Sequence, residues 1–175
     1  MSGKYLTLIA FLIMNFNSFE AQSTSYECRI HNMEYKHEYL YTSDELDPND
    51  SYKRKIFTFP LKDMENFDEI KWNLIQVNGM NDTFYIMSYL FDEYLCSSNM
   101  HMDYFKMRRK VSLIKMDEDR LANEKNCMWK FQSFETSENR FIIWNANYAE
   151  PLYAASALFK NFKNKRNVFT WHAGN

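Results

Sequence analysis

At 175 residues, with 46% apolar residues, 18% aromatics and a net charge of −2, the chain has enough material for one domain with a real core. Acids slightly outnumber bases, so bulk electrostatics excludes a nucleic acid or other polyanion as the default partner. Only three glycines and three prolines are present, which leaves Asn, Asp and Ser to make most of the turns.

The first element is an apolar run, Tyr5 to Met14, with Lys4 before it and Ser18, Ala21 and Ser23 after it. This is the pattern of a secretory signal peptide over residues 1–21, with cleavage after Ala21 or after Ser23, and the run is far short of the roughly 20 residues a membrane span needs. Losing residues 1–21 removes one base, Lys4, and one acid, Glu20, so the net charge stays at −2. Residues 22–175 are then expected to form a single secreted, extracellular domain. An oxidising export route permits one disulfide among Cys28, Cys96 and Cys127. Two sequons, beginning at Asn49 and Asn81, are candidates for N-glycosylation.

Beyond the leader the chain repeats itself three times. Glu38-Tyr39-Leu40-Tyr41, Glu93-Tyr94-Leu95-Cys96 and Glu150-Pro151-Leu152-Tyr153 are each followed, 16 residues after the Glu, by Arg54, Arg109 or Arg166. Each Arg opens an apolar run, and successive units are offset by 55 and 57 residues. Within the units the apolar positions alternate over short stretches, which predicts strands. A first strand carries Trp72 or Trp129, and a second follows 12 residues later at Phe84 or Phe141, with Cys28 at that place in the first unit. The Glu-x-Leu segment is the third strand and the Arg-led run the fourth. The units are about 26–69, 70–126 and 127–175.

Three units of four strands resemble a β-trefoil, an all-β fold. That resemblance implies a six-stranded barrel built from the first and fourth strands of each unit and capped by hairpins of the second and third. The wording of the repeats, Glu-Tyr-Leu-Tyr and Val-Phe-Thr-Trp, is similar to that of small secreted trefoil-like proteins of insects, a resemblance that implies no particular activity. Ricin-type lectins of this fold carry Gln-x-Trp in each unit; that motif is absent here.

Repetition in all three units points to structural roles. Leu40, Leu95, Leu152, Ile56, Val111 and Val168 are expected in the core. Glu38, Arg54, Glu93, Arg109, Glu150 and Arg166 are expected to form structural ion pairs, each Glu with the Arg of its own unit. Cys28 and Cys127 belong to inward-facing sets and are the expected disulfide, leaving Cys96 free. Basic loops at Lys53 and Lys55, at Lys106, Arg108 and Lys110, and at Lys160, Lys163 and Lys165 could form a ring that grips an anionic glycan, with Tyr35, Tyr104 and Phe162 as stacking platforms. His31, His37, His101 and His172 have no metal-ligand spacing, no phosphate loop or nucleophile elbow occurs, and no catalytic residue, metal or cofactor is expected.

Two functional readings stand at this point: a non-enzymatic protein that recognises glycans or anionic glycoconjugates, or a protein-directed ligand such as a trefoil-type protease inhibitor or cytokine-like factor. The inhibitor form would use the stretch Asp47-Pro48-Asn49-Asp50-Ser51. Counting back 12 residues from Cys28 lands on Phe16, inside the leader. The mature domain is therefore expected to lack one strand and to be open beside Val168–Trp171, with residues 22–27 filling part of the gap or a second chain adding a strand as a homodimer or partner.

Overall fold

The computed structural model describes residues 25–102, 107–134, 140–158 and 164–172. Eleven strands run through them: β1 (Ser25–Arg29), β2 (Glu38–Asp47), β3 (Asp50–Pro60), β4 (Lys71–Gln76), β5 (Thr83–Ser88), β6 (Tyr94–His101), β7 (Arg108–Ile114), β8 (Met128–Ser133), β9 (Phe141–Asn145), β10 (Glu150–Ala154) and β11 (Arg166–Trp171). One turn of helix, α1 (Glu118–Leu121), is capped by the Asp117 side chain accepting from Arg120 N–H. Every repeat segment read as a strand from its alternation is a strand. Residues 1–21, where the sequence predicts a leader, lie outside the described residues.

The strands sort into a barrel and a cap. Antiparallel pairings β1–β4, β4–β5, β5–β8 and β8–β9 make the barrel wall, with registers such as Cys28↔Trp72, Leu74↔Ile86, Phe84↔Trp129 and Phe131↔Ile143. Hairpins β2–β3, β6–β7 and β10–β11 make the cap, and their second strands pair with one another around the axis: Arg54↔Leu113, Arg109↔Thr170, Arg166↔Thr58. The expected division was therefore one strand out of frame. The first and second strands of each unit build the barrel, and the third and fourth build the cap.

The reason is a corner between the second and third strands. Only one or two residue pairs form there, Met87↔Tyr94, and Glu150↔Asn145 with Pro151↔Trp144, and His31↔Tyr39 in the first unit is an isolated bridge. At each corner a non-glycine residue takes a positive φ, His37 at 83°, Asp92 at 51° and Ala149 at 52°, and turns the chain out of the wall. The next residue in each case is the repeated Glu.

One core serves all three units, as alternation predicted. Leu40, Leu95, Leu152, Trp72, Trp129, Ile86 and Ile143 are fully buried, and Ile56, Val111 and Val168 join the same cluster. Both indoles also find an acceptor: Trp72 Nε1 donates to the Leu40 carbonyl at 3.1 Å and Trp129 Nε1 to the Leu95 carbonyl at 2.8 Å. Each first strand thus leans on the third strand of the preceding unit.

The opening is not beside β11. That strand pairs with β10 on one side and with β3 and β7 on the other. Among the described residues the unfilled barrel place lies between β9 and β1. It falls there because the fourth strands close on each other at the axis, so the place without a described strand lies in the wall alone. Ser25 to Cys28 belong to β1 and pair with β4 rather than filling the gap.

Candidate functional site

Each repeated guanidinium is held from three directions. Arg54 donates from Nε to Glu93 Oε2 at 2.8 Å, from Nη2 to Glu93 Oε1 at 3.3 Å and from Nη1 to the Asp44 carbonyl at 2.9 Å, with the Phe91 ring 3.7 Å from its Cζ. Arg109 does the same with Glu150 at 2.9 Å, the Asn99 carbonyl at 2.9 Å and the Tyr148 ring at 4.0 Å. Arg166 uses Glu38 at 2.9 Å, the Ser156 carbonyl and the Tyr35 ring at 3.6 Å. Pairing is thus cyclic: every Arg takes the Glu of the next unit, not its own.

Register explains the correction. Glu38 faces Pro60 across its hairpin while Arg54 faces Leu46, so the two sit at opposite ends, six residues or roughly 20 Å apart along β3. The far end of one cap hairpin meets the start of the next. These pairs are joints between units, and their oxygens are occupied: Glu150 accepts from Arg109 on Oε1 and from Thr170 Oγ1 on Oε2 at 2.6 Å. Glu38 likewise accepts from Thr58 Oγ1 at 2.7 Å.

Among the described residues, the lysines of the basic loops are matched to acids rather than left as unmatched charge. Lys53 pairs with Asp50 at 2.8 Å, Lys55 and Lys165 share Glu45 at 3.0 and 3.3 Å, and Lys110 pairs with Asp47. Burial alone would raise the Glu45 carboxyl, but hydrogen bonds from Lys55 and Lys165 outweigh it and hold the group below its ordinary value. Lys110 does the same for Asp47. The Arg108 guanidinium lies 5.3 Å over the Phe169 ring. Lys106, Lys160, Lys163, Tyr104 and Phe162 lie outside the described residues, and the Tyr35 ring is stacked by Arg166 rather than free for a sugar.

Cys96 and Cys127, not Cys28 and Cys127, form the disulfide. Cys28 is buried in the main core opposite Trp72, and burial with the nearby Glu27 charge pushes its thiol up to about 12. Cys127 points instead into a second cluster with Cys96, Tyr85, Tyr94 and Leu121. In the preceding joint the equivalent residues are Tyr41 and Ile70, which pack together with Phe57 in a third cluster. The disulfide replaces an apolar contact between the third strand of one unit and the start of the next.

A cleft of about 750 Å³ opens beside it, between the tip of β2–β3, the strands β6 and β7, the α1 segment and the β9–β10 corner. Its walls carry the amides of Asn49, Asn99, Asn123, Asn126 and Asn147, the hydroxyls of Ser97, Ser98 and Ser112, and the Tyr148 ring. Most charges in the walls are matched in place, Lys53 with Asp50, Lys110 with Asp47 and Arg120 with Glu124. Asn126 is fixed by donating to the Ser97 carbonyl at 3.0 Å, and its own carbonyl accepts from Asn145 Nδ2 at 2.8 Å. Sequence reasoning missed this cleft. Its Asn residues are scattered over four segments with no common spacing, and only the fold brings them together.

A smaller cleft of about 510 Å³ is lined by Asp82, Lys130, Gln132 and Trp144, whose Nε1 has no partner among the described residues. That nitrogen is closed off from the surface, so a ligand could reach it only if the ring moved. The candidate inhibitor stretch is a tight turn: Asp47 pairs with Asp50, and Asp47 Oδ1 accepts from Asn49 N–H at 3.1 Å. It offers a protease no extended loop. Among the described residues no group of three or more His, Cys, Asp and Glu comes together as a metal site, and no helix is long and apolar enough to cross a membrane.

No protein-family model and no curated protein matches the sequence. Solved structures do match in shape. A Caenorhabditis elegans protein of unknown function superposes with a TM-score of 0.62 at 10% identity, covering 99% of this chain and 94% of that one. An SDF2-like protein from Arabidopsis thaliana gives 0.59 at 11% identity, with 97% and 91% covered. ThreeFoil, a designed threefold-symmetric protein, gives 0.52 at 11%, with 79% and 84% covered. The chain also matches a quarter of a chain in the Saccharomyces cerevisiae protein O-mannosyltransferase Pmt1–Pmt2 complex bound to the sugar donor: the TM-score is 0.62 at 12% identity, with 99% of this chain and 25% of that one covered. At these identities the likeness concerns the fold alone, which is β-trefoil-like.

Proposed function

We propose that the protein is a secreted, non-enzymatic carbohydrate-binding trefoil, and that its ligand is a neutral glycan held in the cleft beside the disulfide. One observation carries the reading: the cleft wall sets amides and hydroxyls beside the apolar side chains of Met100, Ile114 and Met116, with its carboxylates and most of its cations already matched to each other. Neutral polyols are recognised by such donors and acceptors beside apolar surface, whereas a sulfated chain would have to displace the carboxylates from Lys53 and Lys110. Export is supported by the disulfide, a cross-link that persists in oxidising compartments. Glycan-array binding at physiological salt tests the reading, followed by titration of the strongest hit against Lys125→Ala/Asn147→Ala. Both side chains line the cleft without a cross-unit bond, so the expected outcome is affinity at least tenfold lower with an unchanged melting temperature. An array without hits, or an unaltered affinity, overturns it.

A further inference from the structure

The two sequons are alike in sequence and unlike in the fold. Asn81-Asp82-Thr83 ends inside the barrel wall: Thr83 is fully buried at the head of β5, and its Oγ1 donates to Asp82 Oδ1 at 2.9 Å. Asn49-Asp50-Ser51 lies at the tip of the β2–β3 hairpin, where Asn49 and Ser51 are both exposed. Asn49 also stands in the wall of the large cleft, and Ser51 is outside it. Its position there is fixed, because the Asp47 carboxylate ties the turn to the cleft wall: Oδ1 accepts from the Asn49 N–H at 3.1 Å and Oδ2 from Lys110 Nζ. A group attached to Asn49 Nδ2 therefore starts from the wall of the cleft.

We propose that Asn49 is N-glycosylated and that its own glycan core occupies the cleft, so that attachment closes the site to other sugars. In the attachment step Asn49 Nδ2 displaces the diphosphate of a lipid-linked oligosaccharide. A C–N bond forms at the anomeric carbon, its C–O bond to the diphosphate breaks, and the amide proton leaves with the lipid diphosphate. The attached core consists of N-acetylglucosamine and mannose, which are neutral. Their hydroxyls and acetamides match the Asn and Ser groups of the wall, and the acetamide methyls match Met100, Ile114 and Met116. The cleft volume of about 750 Å³ falls within the range of about 300–1,000 Å³ that encloses a ligand of such size. Tethering decides the competition: a short link gives an effective concentration on the order of 1 mM, so a core that fits with a Kd of about 0.1 mM weakens binding of a free sugar roughly tenfold. The proposal rests on the reading of the cleft as a glycan site and on export, and the test reports each separately.

The full chain is expressed in a eukaryotic secretory host as wild type, Ser51→Ala and Asn81→Gln, and the occupancy of Asn49 and Asn81 is read by peptide mass spectrometry. Ser51→Ala removes the sequon and leaves the Asn49 amide in the wall. Each product is titrated with the fluorescently labelled pentasaccharide core of an N-glycan, and the array that tests the cleft is run on Ser51→Ala, whose cleft is open. Expected are a glycan on Asn49 in the wild type, saturable binding of the core by Ser51→Ala, and binding at least tenfold weaker by the wild type and by Asn81→Gln. Hydrogen exchange at residues 123–126, which line the cleft, should be slower in the wild type than in Ser51→Ala. An unmodified Asn49, equal binding by wild type and Ser51→Ala, or a Ser51→Ala product that binds array glycans but not the core, overturns the proposal and leaves the cleft reading standing. A Ser51→Ala product that binds neither the core nor any array glycan overturns both. A chain that never enters the secretory route overturns export and the proposal together.

Discussion

The cap repeats itself around the axis down to single hydrogen bonds, whereas the barrel beneath it fills five of six strand places with described residues. In the cap each unit needs its neighbour's carboxylate, so the three joints depend on one another and the repeat is held in step. The barrel has no such cycle of charges. Its wall is made of main-chain bonds and side chains that face one core. The cap also differs within itself: Glu38 and Glu150 have a threonine hydroxyl as second donor, while in the middle unit the equivalent position is Leu113.

Removing a cap carboxylate should be the most damaging change, and unequally so. Glu150 has a side chain 1% exposed, and its loss takes the balancing carboxylate from the largely buried Arg109 and the 2.6 Å acceptor from the Thr170 hydroxyl. Glu150→Ala is expected to cost about 3–5 kcal/mol, the usual result of orphaning a buried charge. Glu93, more exposed and lacking the threonine, should cost about 1.5–3 kcal/mol on the same substitution. Urea unfolding of the two variants decides it; a Glu93→Ala protein as unstable as Glu150→Ala would mean that the threonine adds nothing.

The second joint carries the disulfide where the first carries Ile70 against Tyr41. Cys96 and Cys127 are 31 residues apart in sequence. Closing a loop of that length should stabilise the fold by about 3–4 kcal/mol, and reduction should remove that amount from the unfolding free energy. Cys28 should resist alkylation until the protein unfolds, because its thiolate is strongly disfavoured in the core. Rapid labelling of Cys28 in the native protein would contradict its placement.

A milder change isolates the hydroxyl. Thr58→Val keeps the shape of a fully buried residue and deletes the donor to Glu38 Oε2, for an expected loss of about 1.5–3 kcal/mol. Acid should act more weakly, through the paired lysine loops. Glu45 and Asp47 are held below their ordinary values, so their pairs stabilise the fold above the usual carboxylate range near pH 4. That contribution is lost as the pH falls through the depressed native values, and not on the alkaline side. A midpoint that begins to fall only above pH 7 would be incompatible with these pairs.

Much of this was legible before the fold was known. Alternation located the repeat strands, and the offsets of 55 and 57 residues gave the threefold plan, because period-two burial leaves its mark on every strand. The sequence could not show which end of a hairpin meets which neighbour. Equal spacing suggests Glu38 with Arg54 inside one unit, and inward-facing positions suggest Cys28 with Cys127, whereas both kinds of joint run from the third or fourth strand of one unit to the start of the next. Equivalences already visible in the repeats, Cys96 with Tyr41 and Cys127 with Ile70, would have located the disulfide had the lean of each first strand on the preceding third strand been known. The cleft was illegible for a different reason. Its residues come from four separated segments and share no period.

The smallest expected effect concerns the corners that divide wall from cap. Each corner needs a positive φ, which an L residue adopts at a cost of about 1–2 kcal/mol. Asp92 is a residue type that visits this region more readily than most, through its short polar side chain, but Ala149 has no such help and sits at 52°. Ala149→Gly should therefore relieve the strain, offset in part by the greater freedom glycine brings to the unfolded chain, about 0.5–1 kcal/mol. The net expectation is a gain of up to about 1 kcal/mol, read as a rise of about 2–4 °C in melting temperature. Ala149→Val should lose stability, since a β-branched residue at this φ is strongly disfavoured. Thermal melts of the two variants test the corner directly. If Val is tolerated and Gly is not, Ala149 does not turn the chain by its φ, and the threefold set of corners reduces to His37 and Asp92.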